Sequence, residues 1–134
     1  MRELELGFDG ERITIPIRTG SGELRGVLRY DPFGASRPKM LATPGTRLGL
    51  IPHPAREPAS DVLLVEGPAD MIAARSCSLA AIAVPGTNAW RPSSAPLLAG
   101  RQVTIVMDCD GPGRRAAQRI AASLEPVAAA VEID

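Results

Sequence analysis

The sequence predicts an α/β fold: a four-stranded parallel sheet with flanking helices, preceded by a small β-rich subdomain. Three observations carry this. Four short, largely apolar runs recur at 62–65, 81–84, 103–107 and 127–133, with helix-compatible stretches between them. Continuous apolar runs of that length suit strands covered on both faces, as parallel strands are. The first third instead alternates polar and apolar residues over 12–17, the period of a strand with one wet face.

In chain order, residues 12–17 form the first clear strand, and Thr19, Gly20, Ser21 and Gly22 turn the chain. Residues 23–30 return as the second arm of a hairpin. Pro16 lacks an N–H to give to a ladder, which predicts an edge or a bulge there. Residues 31–60 are rich in Pro, Gly and Arg and read as irregular, with a short strand at 40–41. The expected division is therefore a β-rich subdomain over 1–60 and an α/β domain over 61–134. Within the latter, Gly67 and Pro68 follow the first buried strand and open a helix over 69–77. Pro85 and Gly86 end the second strand, and a short helix is expected near 93–99. Gly111, Pro112 and Gly113 follow the third, and a helix over 114–124 leads into the fourth. Strand, helix, strand, helix at this spacing argues for right-handed parallel crossovers.

Composition narrows the chemistry. Aromatic residues are 3% of the chain, so the core is aliphatic, and Trp90 is expected to cover it. Basic and acidic residues balance at 15 each, so no global positive field marks nucleic acid as a partner. Contact with nucleic acid must be local or bridged by metal ions. Cys77 and Cys109 have no metal-ligand spacing and are expected as small buried packers. A single histidine, His53, sits between prolines with no second histidine to join it. No apolar leader or membrane span is readable, so a cytoplasmic location with no membrane partner is expected.

The informative residues lie at strand ends. Glu66 follows the first buried strand, with Asp70 one helical turn later, and Asp108 follows the third, with Asp110 two residues on. Ligands of open parallel sheets bind beyond the carboxyl ends of strands, where these four acids are aimed. Clustered carboxylates repel unless they hold a proton or share a cation. Magnesium resolves the conflict through oxygen ligands, with water and phosphate completing its shell. Gly67 and Gly111 beside the acids are expected to permit tight turns and the approach of a phosphate. Arg115 and Arg119, four apart, share a helix face expected to be solvated.

These residues resemble a known family. Glu66-Gly67-Pro68-Ala69-Asp70 looks like the E-G-x-x-D motif of Toprim domains, and Asp108-Cys109-Asp110-Gly111-Pro112-Gly113 looks like their D-x-D-x-x-G motif. Pro85-Gly86-Thr87 resembles the L-G-T turn of bacterial-type primases. Residues 12–17, then Gly26, Arg29 and Pro38-Lys39-Met40-Leu41, resemble the basic subdomain that precedes the Toprim fold in those primases. The likeness runs over about 11–134. The zinc-ribbon module is absent, Ala42 stands where the family has Asn, and the segment from 44 to 61 is shorter. The family's further acidic motif and helicase-binding region have no counterpart, so a fragment or a reduced mobile-element form is expected, weak or inactive alone.

The resemblance implies a Mg²⁺-dependent DNA primase core, with Mn²⁺ as the alternative ion. It would join ribonucleoside triphosphates on a single-stranded DNA template, with a replicative helicase as a further partner. Glu66, Asp108 and Asp110 would be catalytic and, with Asp70, would hold the metal. Lys39, Arg29, Gly67, Gly86, Thr87, Gly111 and Arg114 would contact nucleotide or nucleic acid. Two other readings stand beside this one: a Toprim nuclease acting on RNA or DNA, and a non-catalytic module holding nucleotide or single-stranded DNA for a primase–helicase. A topoisomerase is disfavoured, because the only tyrosine, Tyr30, is misplaced for a cleavage nucleophile.

Overall fold

A computed structural model describes residues 4–34, 38–86 and 89–134. The chain divides into two compact units, Met1–Leu48 and Gly49–Asp134.

The first unit is an antiparallel sheet of β1 (Gly7–Phe8), β2 (Ile13–Arg18), β3 (Leu24–Tyr30) and β4 (Met40–Ala42), in that spatial order. Ile15, Ile17 and Leu28 supply its buried face, as the alternation of β2 requires. Pro16 is tolerated because β1 pairs only with Ile13 and Thr14. The β1 side of β2 is thus open at Pro16, and the register shifts between Ile17 and Arg18. Arg12 is buried yet satisfied: its Nη1 donates to the carbonyls of Lys39 (3.0 Å) and Arg29 (3.4 Å).

The second unit is a parallel sheet ordered β6-β5-β7-β8, with β5 at Asp61–Val65, β6 at Ala81–Ala83, β7 at Gln102–Val106 and β8 at Ala130–Ile133. Two helices connect them: α1 (Pro68–Ser76) between β5 and β6, and α2 (Gly111–Leu124) between β7 and β8. The segment expected as a short helix near 93–99 is a 3₁₀ turn at Pro92–Leu98, with Pro96 inside it. A proline there removes a donor that an α-helix would need. The fourth strand starts at Ala130 rather than 127, because the chain is still leaving α2.

The core is aliphatic as composition demands. Val62, Leu64, Ile82, Val103 and Ile105 of the sheet meet Ala117, Ile120 and Leu124 of α2. Buried residues recur along α2 at 113, 116, 117, 120, 121 and 124, the stripe of a helix lying on a sheet. Trp90 closes this core, 5% exposed, and its Nε1 donates to Ser123 Oγ at 2.9 Å. At the amino ends of the strands, Arg75 pairs with Glu57 and donates to the carbonyl of Ala81, while Arg101 donates to the carbonyls of Glu57 and Pro54. That knot holds the segment entering β5 against the starts of β6 and β7. No described helix is long and apolar enough to cross a membrane.

Candidate metal centre

The sheet order creates the site. Central strands β5 and β7 are neighbours, but the chain leaves β5 towards β6 and leaves β7 towards β8. Their connections depart in opposite directions, which opens a crevice between the two carboxyl ends. Val65 pairs with Val106 in the ladder, so Glu66 follows the last rung directly and Asp108 stands two residues past it. Asp70 occupies the first turn of α1, where a negative charge complements the helix dipole.

Asp110 shapes the second loop. It is the N-cap of α2, and its Oδ1 accepts from the Gly113 N–H at 2.7 Å. A Cβ placed on Gly113 would lie 2.1 Å from the Asp108 carbonyl oxygen, so only glycine lets the loop fold back on itself. The need for glycine expected at Gly67 and Gly111 lies here instead, and it is a need for space rather than for a special backbone angle. Gly67 has φ −117°, open to any residue, and its added Cβ would meet only Asp70 Oδ2 at 3.6 Å. Gly111 has no positive φ, and its Cβ would face the mobile end of Arg115. The pattern D-x-D-x-x-G itself held this signal in its last glycine. Arg114 is fastened to the same loop, with Nη2 on the Cys109 carbonyl (2.6 Å) and Nε on that of Asp110 (3.4 Å).

The electrostatics are those of an unresolved cluster. The Glu66 carboxyl is pushed up to about 7, first by a hydrogen bond with Asp108, then by partial burial, then by the charges of Asp108, Asp110 and Asp70. Its Oε1 is buried without a hydrogen-bond partner. The two facts agree chemically: ionised carboxylates only accept, so contact between them satisfies neither until a proton or cation lies between. Among the described residues none of these four acids makes an ion pair with Lys or Arg.

Among the described residues no three His, Cys, Asp or Glu side chains close around one point. The carboxylates form a spread cluster rather than a finished cage. The donor set still suits a hard divalent ion, since every donor is a carboxylate oxygen and one buried oxygen is unsatisfied. Glu66, Asp70, Asp108 and Asp110 are the residues that would hold it.

The other sequence-selected residues fall elsewhere. Gly86 is in a turn after β6 with φ +93°, a conformation that favours glycine. Thr87 lies outside the described residues. Lys39 and Arg29 belong to the first unit. Lys39 is exposed, whereas Arg29 is engaged by Asp9 (2.7 Å) and Glu11 (3.4 Å). Both cysteines are exposed, contrary to the expectation of buried packers. Cys109 sits in the polar loop beyond β7 and Cys77 caps the end of α1, and neither position points into the core.

Comparison with known proteins agrees with this geometry. The family described as Toprim domain matches residues 60–133. The Gene 57 protein of Mycobacterium phage D29 is 33% identical over 100 residues, covering 73% of this chain and 66% of that protein. The DnaG catalytic core superposes with a TM-score of 0.69 at 25% identity, over 90% of this chain and 44% of that one. The DnaG primase catalytic domain bound to ssDNA gives 0.69 at 26% identity, over 92% and 44%. The primase fragment of the bacteriophage T7 primase–helicase gives 0.65 at 15% identity, over 98% and 58%, a likeness of fold alone. The chain thus spans under half the length of the DnaG cores it matches.

Proposed function

The chain belongs to the Toprim family, and from that premise we propose that it is the nucleotidyl-transfer core of a DNA primase. Its substrates would be ribonucleoside triphosphates paired to single-stranded DNA. The observation that carries the reading is the four-carboxylate cluster at the β5–β7 crevice, unneutralised by any described cation, in a fold shared with DnaG catalytic cores. Residues 1–60 would be the counterpart of the primase basic subdomain, with Lys39 and Arg29 as nucleic-acid contacts.

In the reaction, a 3′-hydroxyl oxygen attacks the α-phosphorus of the incoming nucleotide, a P–O bond forms, and the bond to pyrophosphate breaks. A bound Mg²⁺, or Mn²⁺, supplies charge neutralisation of the triphosphate and a lower pKa for the attacking hydroxyl. Glu66, directly after the last rung of β5, is the carboxylate that would take the proton released by that hydroxyl. Asp110 is held rigid by its cap, so Asp108 and Asp110 are preset on one loop. Arg114, anchored on two carbonyls of that loop, has Nη1 left to donate to a phosphate. Gly67, Gly86 and Gly111 would let a phosphate approach closely, and the resemblance assigns Thr87 a nucleotide contact as well.

The test is metal-dependent dinucleotide synthesis from ribonucleotides on a single-stranded template. Slow synthesis that vanishes in the Asp108→Ala/Asp110→Ala double variant supports the proposal. Nicking or trimming of the template replaces it with a nuclease. The likeness to a DnaG primase catalytic domain bound to ssDNA supports one second reading, a module that holds nucleotide or single-stranded DNA for a helicase. Template binding without turnover, unchanged in the double variant, would establish that module.

A further inference from the structure

A cavity of about 440 Å³ opens at the carboxyl ends of β7 and β8, on the side of β7 away from β5. Its size is at the lower end of small-molecule sites, which run from about 300 to 1,000 Å³. Met107, Ala117 and Ile133 give it apolar walls, and Arg114, Gln118 and the Cys109 thiol stand at its margin. Asp108 lines it as well, so the cavity shares one residue with the acidic cluster. Ile133, the last residue of β8, and Asp134 after it belong to the lining.

We propose that this cavity receives the base of a nucleoside triphosphate whose phosphates lie at the acidic cluster. The proposal rests on the nucleotidyl-transfer reading and deepens it. A base is a flat ring that wants apolar contact on its faces and hydrogen bonds on its edge. Met107 and Ile133 offer the first, and a thioether packs well against an aromatic ring. The Gln118 amide offers a donor and an acceptor side by side, the pattern that meets adenine at N7 and N6, on the edge that template pairing leaves free. Arg114 is fixed by its bonds to the Cys109 and Asp110 carbonyls, so its guanidinium is a preset plane and not a free tether. Asp108, common to cluster and cavity, puts the reacting phosphates next to the cavity mouth.

The two exposed thiols make the test direct. In a Cys77→Ser chain, Cys109 is the only thiol, and its rate of modification by a thiol-specific reagent reports on occupancy of the cavity. The measurement is made in EDTA with ATP, adenosine, inorganic tripolyphosphate or a single-stranded oligodeoxynucleotide added separately. Adenosine should slow modification severalfold, ATP should do so less because its phosphates meet the four acids without a cation, and tripolyphosphate should not. Gln118→Trp, a change at an exposed position that fills the mouth without touching the core, should abolish the nucleoside effect. Equal protection by tripolyphosphate, no protection by any nucleoside, protection by the oligonucleotide alone, or persistence of the effect in Gln118→Trp each overturns the pocket. Neither metal nor turnover enters this assay. A chain that shows the protection but forms no dinucleotide loses only the catalytic reading. One that forms dinucleotides with no protection loses only the pocket.

Discussion

The acids Glu57 and Glu66 belong to the same unit, nine residues apart in sequence, and are treated in opposite ways. Glu57 is buried at the amino ends of the strands and answered by Arg75, with the Ala59 N–H also on its Oε2. Glu66 stands at the carboxyl ends, partly buried, and is faced by three more acids instead of a cation. The first end of the sheet is closed by its own side chains, and the second is left with charge that only a proton or an added ion can satisfy. Structural acids are neutralised from within the chain, and an acid kept for a ligand is not.

The largest expected effect tests the unneutralised end. Asp108→Asn keeps the size of the side chain and removes one charge. It should cut dinucleotide synthesis on the order of 100-fold or more, since the charge is needed only for the ligand. The melting temperature in metal-free buffer at pH 8 should hold or rise, because a repulsion is lost. A fall of several degrees in the melt would make Asp108 a structural acid and erase the contrast.

The closed end should respond the other way. Arg75→Met leaves Glu57 buried without its counter-ion, a class of change that costs about 3–5 kcal/mol. Denaturant unfolding measures it. A loss below about 1 kcal/mol would mean that water reaches Glu57 and that the knot contributes little. Between these extremes lies Gly113→Ala, which forces the Asp108 carbonyl away from its position 2.1 Å from the new Cβ. Overpacking of this kind costs about 1–3 kcal/mol. Here the two readouts should move together, since the same loop carries fold and site, and a melt unchanged beside lost activity would show that the loop yields without strain.

How much of this could be read from the chain follows the same division. The parallel sheet was legible because each strand is a short apolar run bounded by Gly or Pro, and burial on both faces leaves no other composition open. The four acids were legible because strand ends are where such sheets bind ligands. What escaped were facts set by nonlocal geometry. Glu57 and Arg75 are 18 apart in sequence and meet only once β5, α1 and β6 are folded. Gly113 matters because of a carbonyl five residues earlier, which no propensity scale sees. Arg29 looked like a spare cation for phosphate, and its partners Asp9 and Glu11 lie across a strand pairing that the alternation alone did not place. The cysteines failed as packers because residue type was read without position: both fall at the end of an element, where a small side chain is exposed.

The smallest effect, and the one that sets the two kinds of acid side by side, is the dependence of stability on pH. Glu66 keeps its proton up to about 7 in the folded chain, against 4.5 as its ordinary value. Below 4.5 both folded and unfolded chains hold that proton and nothing is contributed. As pH rises from there to 7 the unfolded chain releases it and the folded chain does not, so stability declines across that window and stays lowered above it. Asp9 has the reverse sign. The backbone N–H of Arg12, then the Arg29 guanidinium, then the N–H of Glu11 lower its carboxyl to about 2 from 3.8, so its contribution is present above 3.8 and is lost as the solution is acidified towards 2. Melts in EDTA at pH 5 and pH 8 should therefore show a loss of about a few degrees at the higher pH, and Glu66→Gln should remove that loss. Adding Mg²⁺ should restore more at pH 8 than at pH 5, because a cation then has no proton to displace from Glu66. Parallel melting profiles for the parent chain and Glu66→Gln between pH 5 and 8 would mean that the four carboxylates do not feel one another in solution, and the difference between the two ends of the sheet would reduce to one salt bridge.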